Sequence, residues 1–134
     1  MKTAFADTSF YQALLNPKDK WHGSAMNVSA AYRGSMVTSE YVLCELGALM
    51  SQGHLRQLFM ELVKGLESAP RVEIIHGSHH VFEAGLALFV ERPDKEWSLT
   101  DCISFALMQE MGITDALTCD RHFEQAGFRT MLIQ

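Results

Sequence analysis

Apolar residues recur along this chain with two periods. Short runs of apolar and β-branched residues predict strands at 2–6, 36–39, 72–76, 115–119 and 130–133. Between them the spacing turns helical. The clearest case is 54–68, where Leu55, Leu58, Phe59, Leu62, Val63 and Leu66 fall at i, i+3, i+4, i+7, i+8 and i+11. A second helix is predicted at 78–91, with Val81, Phe82, Leu86 and Phe89 as its apolar face. Further helices are expected at 9–15, 23–33, 40–51, 99–111 and 121–126, with Gly112 and Gly127 as C-terminal stops. The three prolines fall between regular segments, and no internal repeat is visible. Strands alternating with helices predict an α/β fold around a parallel sheet of about five strands. Crossovers in such sheets are right-handed, and ligands bind outside the carboxyl ends of the strands.

Four acids interrupt this pattern in stretches that are otherwise apolar or small: Asp7, Glu45, Asp101 and Asp120. Asp7 and Asp120 directly follow predicted strands, so both should face the crevice. Glu45 lies about one and a half turns into its helix, between Tyr41 and Val42 on one side and Ala48 and Leu49 on the other. That apolar stripe leaves a lone Glu in need of a cation. Asp101 lies in the first turn of its helix. Three of the four also have a structural reading. Asp7 and Asp120 suit helix N-caps, and Ser98-Leu99-Thr100-Asp101 has the form of a capping box. Carboxylates are seldom buried unless paired or bound to metal. As a set, the four point to a cation site, and an all-oxygen site suits Mg²⁺ or Mn²⁺. Glu40 reads as a surface acid at a helix start, and Asp115 as a solvated residue at a strand start. His122 is close to Asp120, in reach of phosphate, although a surface position is the default for it.

The 134 residues fit a single domain spanning 1–134, long enough to bury a core. The longest small-or-apolar run, 84–90, is too short to span a bilayer. The opening Met-Lys-Thr-Ala-Phe-Ala-Asp reaches an acid before a signal core could form. The expectation is a soluble, cytoplasmic protein without membrane contact. Cys44, Cys102 and Cys119 are odd in number and far apart, which fits small core residues rather than a disulfide framework or zinc knuckle. The net charge of −5 argues mildly against nonspecific nucleic-acid binding. Without the four acids, however, 12 acids face 11 bases, and two divalent ions would neutralise the four. A phosphate substrate approached through metal therefore remains open.

The order and contexts of these acids resemble the PIN-domain nucleases, especially the small VapC-like toxins of toxin–antitoxin pairs. The matching segments are Asp7-Thr8-Ser9, Val37-Thr38-Ser39 leading to Cys44-Glu45-Leu46, Ser98-Leu99-Thr100-Asp101-Cys102, and Leu117-Thr118-Cys119-Asp120-Arg121-His122-Phe123. The likeness runs from about residue 2 to the C-terminus. It implies a three-layer sandwich with helices on both sides of the parallel sheet, and Asp7, Glu45, Asp101 and Asp120 as ligands of one or two Mg²⁺ or Mn²⁺ ions. Thr8 or Ser9 and Thr118 carry over more loosely, as hydroxyls near metal or substrate. The helices beginning at Glu40 and His54 would form a projecting wall of the groove. The implied activity is metal-dependent endoribonuclease cleavage of RNA, leaving 5′-phosphate and 3′-hydroxyl ends. The implied partners are an antitoxin and a second copy in a homodimer. Arg33, Arg56, Arg92, Lys95 and Arg121 are candidate phosphate contacts.

Two alternatives stand beside this reading. An aspartate-dependent phosphatase would use Asp7 as nucleophile, but Ser9 stands where that chemistry needs a second Asp. A non-catalytic protein- or RNA-interaction module would use the acids only as caps and surface charge.

Overall fold

The computed structural model describes residues 2–133; residues 1 and 134, the ends of the expected 1–134 domain, lie outside them. Among the described residues five strands and seven helices follow one another as β1 (Thr3–Ala6), α1 (Thr8–Leu15), α2 (His22–Ala31), β2 (Ser35–Ser39), α3 (Glu40–Leu49), α4 (Leu55–Ser68), β3 (Val72–Ile75), α5 (His79–Glu91), α6 (Leu99–Met111), β4 (Asp115–Leu117), α7 (Arg121–Gln125) and β5 (Arg129–Thr130). The strands form one parallel sheet in the order β3-β2-β1-β4-β5, flanked by the helices. The α/β expectation and each predicted element hold.

β1 is the central strand, and Ala4, Phe5 and Ala6 are fully buried. An unbroken apolar run is what a parallel strand covered on both faces requires. From β1 the chain runs outward through β2 to β3, then returns to the other side of β1 as β4. The strand order therefore reverses between β1 and β4, and the crevice outside their carboxyl ends is the natural binding place.

Boundaries shift where side chains take over the backbone's hydrogen bonds. β4 stops at Leu117, two residues before the predicted end, because the next amides turn away from the sheet. Cys119 N–H donates to Ser9 Oγ at 3.1 Å, and Asp120 N–H donates to Thr118 Oγ1 at 3.0 Å. β5 covers Arg129–Thr130 rather than 130–133. The backbone still follows β4 for two residues more, through Met131 N to Ala116 O and Leu132 N to Thr118 O.

α6 is the most enclosed helix, burying Asp101, Cys102, Ile103, Ser104, Phe105, Leu107 and Met108. Gly112, at a φ of 68°, ends it in the left-handed conformation that glycine adopts without strain. α5 packs closely on α6 because Gly85 faces Ile103; a Cβ there would lie 2.2 Å from Ile103 Cγ1. This contact overturns the predicted apolar face of the helix. Val81 and Gly85 are buried, whereas Phe82, Leu86, Phe89 and Val90 are exposed. Small residues permit the close approach, so the large ones turn outward.

Two smaller expectations also fail. Asp115 is not solvated: its side chain is 17% exposed and pairs with Arg129, its register partner on β5, at 3.4 Å. Cys44 is exposed, although Cys102 is buried and Cys119 half-buried; all three thiols are free.

Candidate metal centre

Asp7 caps α1, accepting from Ser9 N–H, as the capping reading requires. Its Oδ2 also accepts from Ser9 Oγ at 3.0 Å and from Thr118 Oγ1 at 2.9 Å. Parallel register sets Ala6 beside Leu117, so the residues that follow, Asp7 and Thr118, meet at the strand ends. The residue is 3% exposed. Burial, reinforced by the nearby charge of Asp101, pushes its carboxyl up to about 7 against the donors that favour ionisation.

Asp101 is the last residue of a complete capping box: Ser98 Oγ accepts from its amide, and its own carboxylate accepts from Ser98 N–H. It is 6% exposed. Its carboxyl is raised by burial first and by Asp120 second. Asp120 is the N-cap of α7, with Oδ1 accepting from His122 N–H at 2.9 Å. The structural and the functional readings thus hold together. One carboxylate oxygen caps or locks the local backbone, which fixes the direction of the group.

One concave site of about 300 Å³ gathers Asp7, Thr8, Ser9, Gln12, Glu45, Leu49, Glu96, Ser98, Asp101, Asp120 and His122. All four predicted acids line it, and no lysine or arginine among the described residues does. Glu45 reaches it from α3, but not from an apolar stripe as expected. Val42 is buried beside it, whereas Leu49 is exposed, so Glu45 stands at the border of the helix's buried face. Glu96 adds a fifth acid. It sits in a polar loop where nothing in the sequence marks it, and it is brought in because Trp97 anchors the loop. Trp97 stacks edge-on against Phe105 at 5.1 Å and Phe105 against Phe123 at 4.8 Å, tying the loop, α6 and α7 together.

His122, assigned a surface position by default, belongs to the site. Its Nδ1 lies 3.1 Å from Asp101 Oδ2 and 3.4 Å from Asp120 Oδ1. The available signal was its place two residues after Asp120, in the turn that Asp120 caps. Arg121 does not line the pocket; it is exposed and pairs with Glu124 at 3.4 Å. Arg33 is displaced further, to the amino-terminal end of the sheet beside Lys2. Arg56 donates to Ser51 O at 2.9 Å. Arg92 and Lys95 do not line the pocket either: they lie 5.1 and 6.0 Å from the Trp97 ring centroid, and Arg92 is paired with both oxygens of Asp94 at 3.0 Å.

The donor set fits a divalent ion. Carboxylates crowd together with no lysine or arginine among them, and desolvation with mutual repulsion raises Asp7 and Asp101 although His122 favours ionised Asp101. A metal reverses both penalties. The buried hydroxyl of Thr8, which lines the pocket, has no hydrogen-bond partner. A hydroxyl with no partner inside the protein fits a pocket that takes an ion and its water.

Comparison with known proteins agrees with this geometry. The family model described as the PIN domain matches residues 4–129. A protein of Mycobacterium tuberculosis named 23S rRNA-specific endonuclease VapC20 is 34% identical over 126 residues, 92% of this chain and 94% of that protein. The crystal structure of Mycobacterium tuberculosis VapC20, described as a sarcin-ricin loop cleaving toxin, has a TM-score of 0.85 at 30% identity, covering 93% of this chain and 95% of the other. VapBC2 from Rickettsia felis, solved with a DNA fragment from its promoter, has a TM-score of 0.66 at 15% identity, covering 96% of each chain; that likeness is one of fold.

Proposed function

The chain belongs to the PIN-domain family, and on that premise we propose that it is a metal-dependent endoribonuclease, the toxin of a toxin–antitoxin pair, acting on large-subunit ribosomal RNA. The observation that carries this reading is the convergence of Asp7, Glu45, Asp101 and Asp120 on one pocket with no lysine or arginine among its described lining residues. The ribosomal substrate is supported by the relative named a 23S rRNA-specific endonuclease.

Asp7, Asp101, Asp120 and Glu45 would hold one or two Mg²⁺ or Mn²⁺ ions. A bound ion would lower the pKa of its water and supply positive charge beside the phosphoryl oxygens. The chain's own part is to aim the ligands and admit the substrate. Ser9 and Thr118 fix one oxygen of Asp7, which leaves the other for the pocket. Ser98 N–H orients Asp101 through Oδ2 and His122 N–H orients Asp120 through Oδ1; each of these oxygens keeps a second lone pair, and both face His122 Nδ1. Acids this dense repel a phosphodiester until they are neutralised, so substrate and metal enter as linked events.

The antitoxin is read as covering the groove beside α3 and α4, where α4 buries no residue completely. A second copy is read as covering the outward apolar stripe of α5. Among the described residues no helix is long and apolar enough to cross a membrane, and the free thiols suit a reducing cytoplasm. The phosphatase alternative has no support here: Ser9, in place of a second acid, is committed to Asp7.

The test is cleavage of ribosomal RNA, within ribosomes and as naked transcript, with Mg²⁺ or Mn²⁺ against a chelator. Metal-dependent cutting that a folded Asp7→Asn variant lacks is the expected result. Equal cutting by that variant would remove the site from the reaction.

A further inference from the structure

The four-acid set leaves His122 unused, although its ring points into the site. One donor atom each from Asp101, Asp120 and His122 lies within 4.8 Å of the other two. Neighbouring ligands of an octahedral ion with bonds of about 2.1 Å are about 3 Å apart. The Nδ1 separations of 3.1 Å to Asp101 and 3.4 Å to Asp120 are close to that edge. The imidazole is also held in place. His122 N–H is bound to Asp120 at 2.9 Å, and the next residue, Phe123, is fully buried against Phe105. Of the described buried hydroxyls without a partner, Thr8 Oγ1 is the one whose residue lines this same pocket.

We propose that His122 Nδ1 ligates the same ion that Asp101 and Asp120 hold, making a mixed nitrogen–oxygen position that selects Mn²⁺ over Mg²⁺. This rests on the metallonuclease reading above and deepens it. Mg²⁺ is hard, demands near-ideal geometry and keeps its waters, so an imidazole adds little for it. Mn²⁺ stands at the weak end of the transition series and accepts oxygen ligands as Mg²⁺ does, but as a transition ion it takes an imidazole more readily, so one nitrogen donor tilts a carboxylate site from Mg²⁺ toward Mn²⁺. The donors on the other side of the pocket, Asp7 and Glu45, offer oxygen only. Two positions in one pocket would then differ in preference. Ligation needs the tautomer protonated at Nε2, with the Nδ1 lone pair free. The competing arrangement is a plain hydrogen bond from Nδ1–H to Asp101.

The experiment is pulsed electron paramagnetic resonance of the Mn²⁺-loaded whole protein, with Mg²⁺ competition. Wild type is compared with His122→Asn, with His122→Gln as a second variant, and with His80→Asn as an exposed-histidine control. Expected are a directly coordinated ¹⁴N signal in wild type and in the His80 control, and its loss in both His122 variants. Mn²⁺ affinity should fall at least about tenfold in those variants, while Mg²⁺ affinity changes by less than about threefold. Circular dichroism and melting of each variant establish that it is folded. Bound Mn²⁺ that depends on Asp101 and Asp120 but carries no nitrogen coupling would overturn the proposal and leave the nuclease reading standing. Failure of wild type to bind Mn²⁺ at all would remove both.

Discussion

Thr118 Oγ1 donates to Asp7 Oδ2 at 2.9 Å and accepts from Asp120 N–H at 3.0 Å, so one hydroxyl couples two of the four acids. Ser9 Oγ donates to the same Asp7 oxygen at 3.0 Å. Each hydroxyl carries one proton. With both directed at Asp7, the 2.9 Å approach of Ser9 to Thr118 is a contact imposed by their shared acceptor.

Replacing Thr118 by Val keeps the shape and deletes that coupling. The Asp120 amide loses its acceptor, which costs about 1–3 kcal/mol in a buried place. Asp7 loses a donor and some of its fixed orientation, for an expected drop in activity of about 10–100-fold. Thr118→Ser should restore most of both. Urea unfolding and cleavage rate check this pair, and a Val variant with wild-type activity would sever Thr118 from the site.

Asp7 makes the metal-free protein sensitive to pH. Its carboxyl sits at about 7 when folded, against an ordinary 3.8. Between those values the folded protein holds a proton that the unfolded chain has released. Stability therefore falls as pH rises through that window. At about 1.4 kcal/mol per unit the upper bound is on the order of 4 kcal/mol. Asp101 is shifted in the same direction. Asp7→Asn should cancel most of the slope, so in chelator the variant is more stable than wild type at pH 8 and comparable at about pH 4. Adding Mn²⁺ at pH 8 should raise the melting temperature of wild type well above that of the variant. Denaturant titrations at the two pH values, with and without metal, read the difference directly. A variant that gains nothing at pH 8 would contradict the buried-charge account.

Gly85→Ala tests the seam between α5 and α6. The new Cβ would meet Ile103 Cγ1 at 2.2 Å and Ile103 Cα at 2.7 Å. A flexible side chain can yield, but backbone cannot, so the helices must part. Overpacking of this kind costs about 1–3 kcal/mol, outweighing the helix propensity that Ala gains over Gly, at most about 1 kcal/mol. Thermal melting should show a fall of several degrees. Because α6 carries Asp101, metal affinity should fall with it.

The fold was legible because its signals are local: apolar runs for the buried strands, a 3.6-residue period for α4, and glycine and capping residues at the ends. Asp7, Asp101 and Asp120 were legible for the same reason, since Asp7 and Asp120 follow strands and Asp101 closes a capping box; Glu45 reaches the pocket although the apolar stripe that singled it out is exposed at Leu49. Missing from the sequence were features made by proximity across the chain. Glu96 enters the site only because Trp97, Phe105 and Phe123 stack. His122 becomes a site residue only because the start of α6 stands beside α7. The inward face of α5 was misread because hydrophobicity alone ranks Phe82 and Phe89 above Gly85, whereas the packing is set by closeness of approach.

That misreading leads to the last prediction. Phe82, Leu86, Phe89 and Val90 lie along one outward stripe of α5, with Val90 70% exposed. Their i, i+4, i+7 and i+8 spacing makes the stripe continuous along the helix. A contiguous apolar stripe rather than scattered apolar residues is a candidate interaction surface. In a homodimer the same stripe faces its own copy across a two-fold axis. Leu86→Glu would then place like charges opposite each other at the centre of the contact. The expected outcome is a monomer by light scattering, at concentrations where wild type is dimeric, with melting temperature little changed when extrapolated to low concentration. The site acids lie on other elements, so Mn²⁺ binding per chain should be retained. A wild type that is monomeric throughout, or a Leu86→Glu variant that remains a dimer, would place the interface elsewhere.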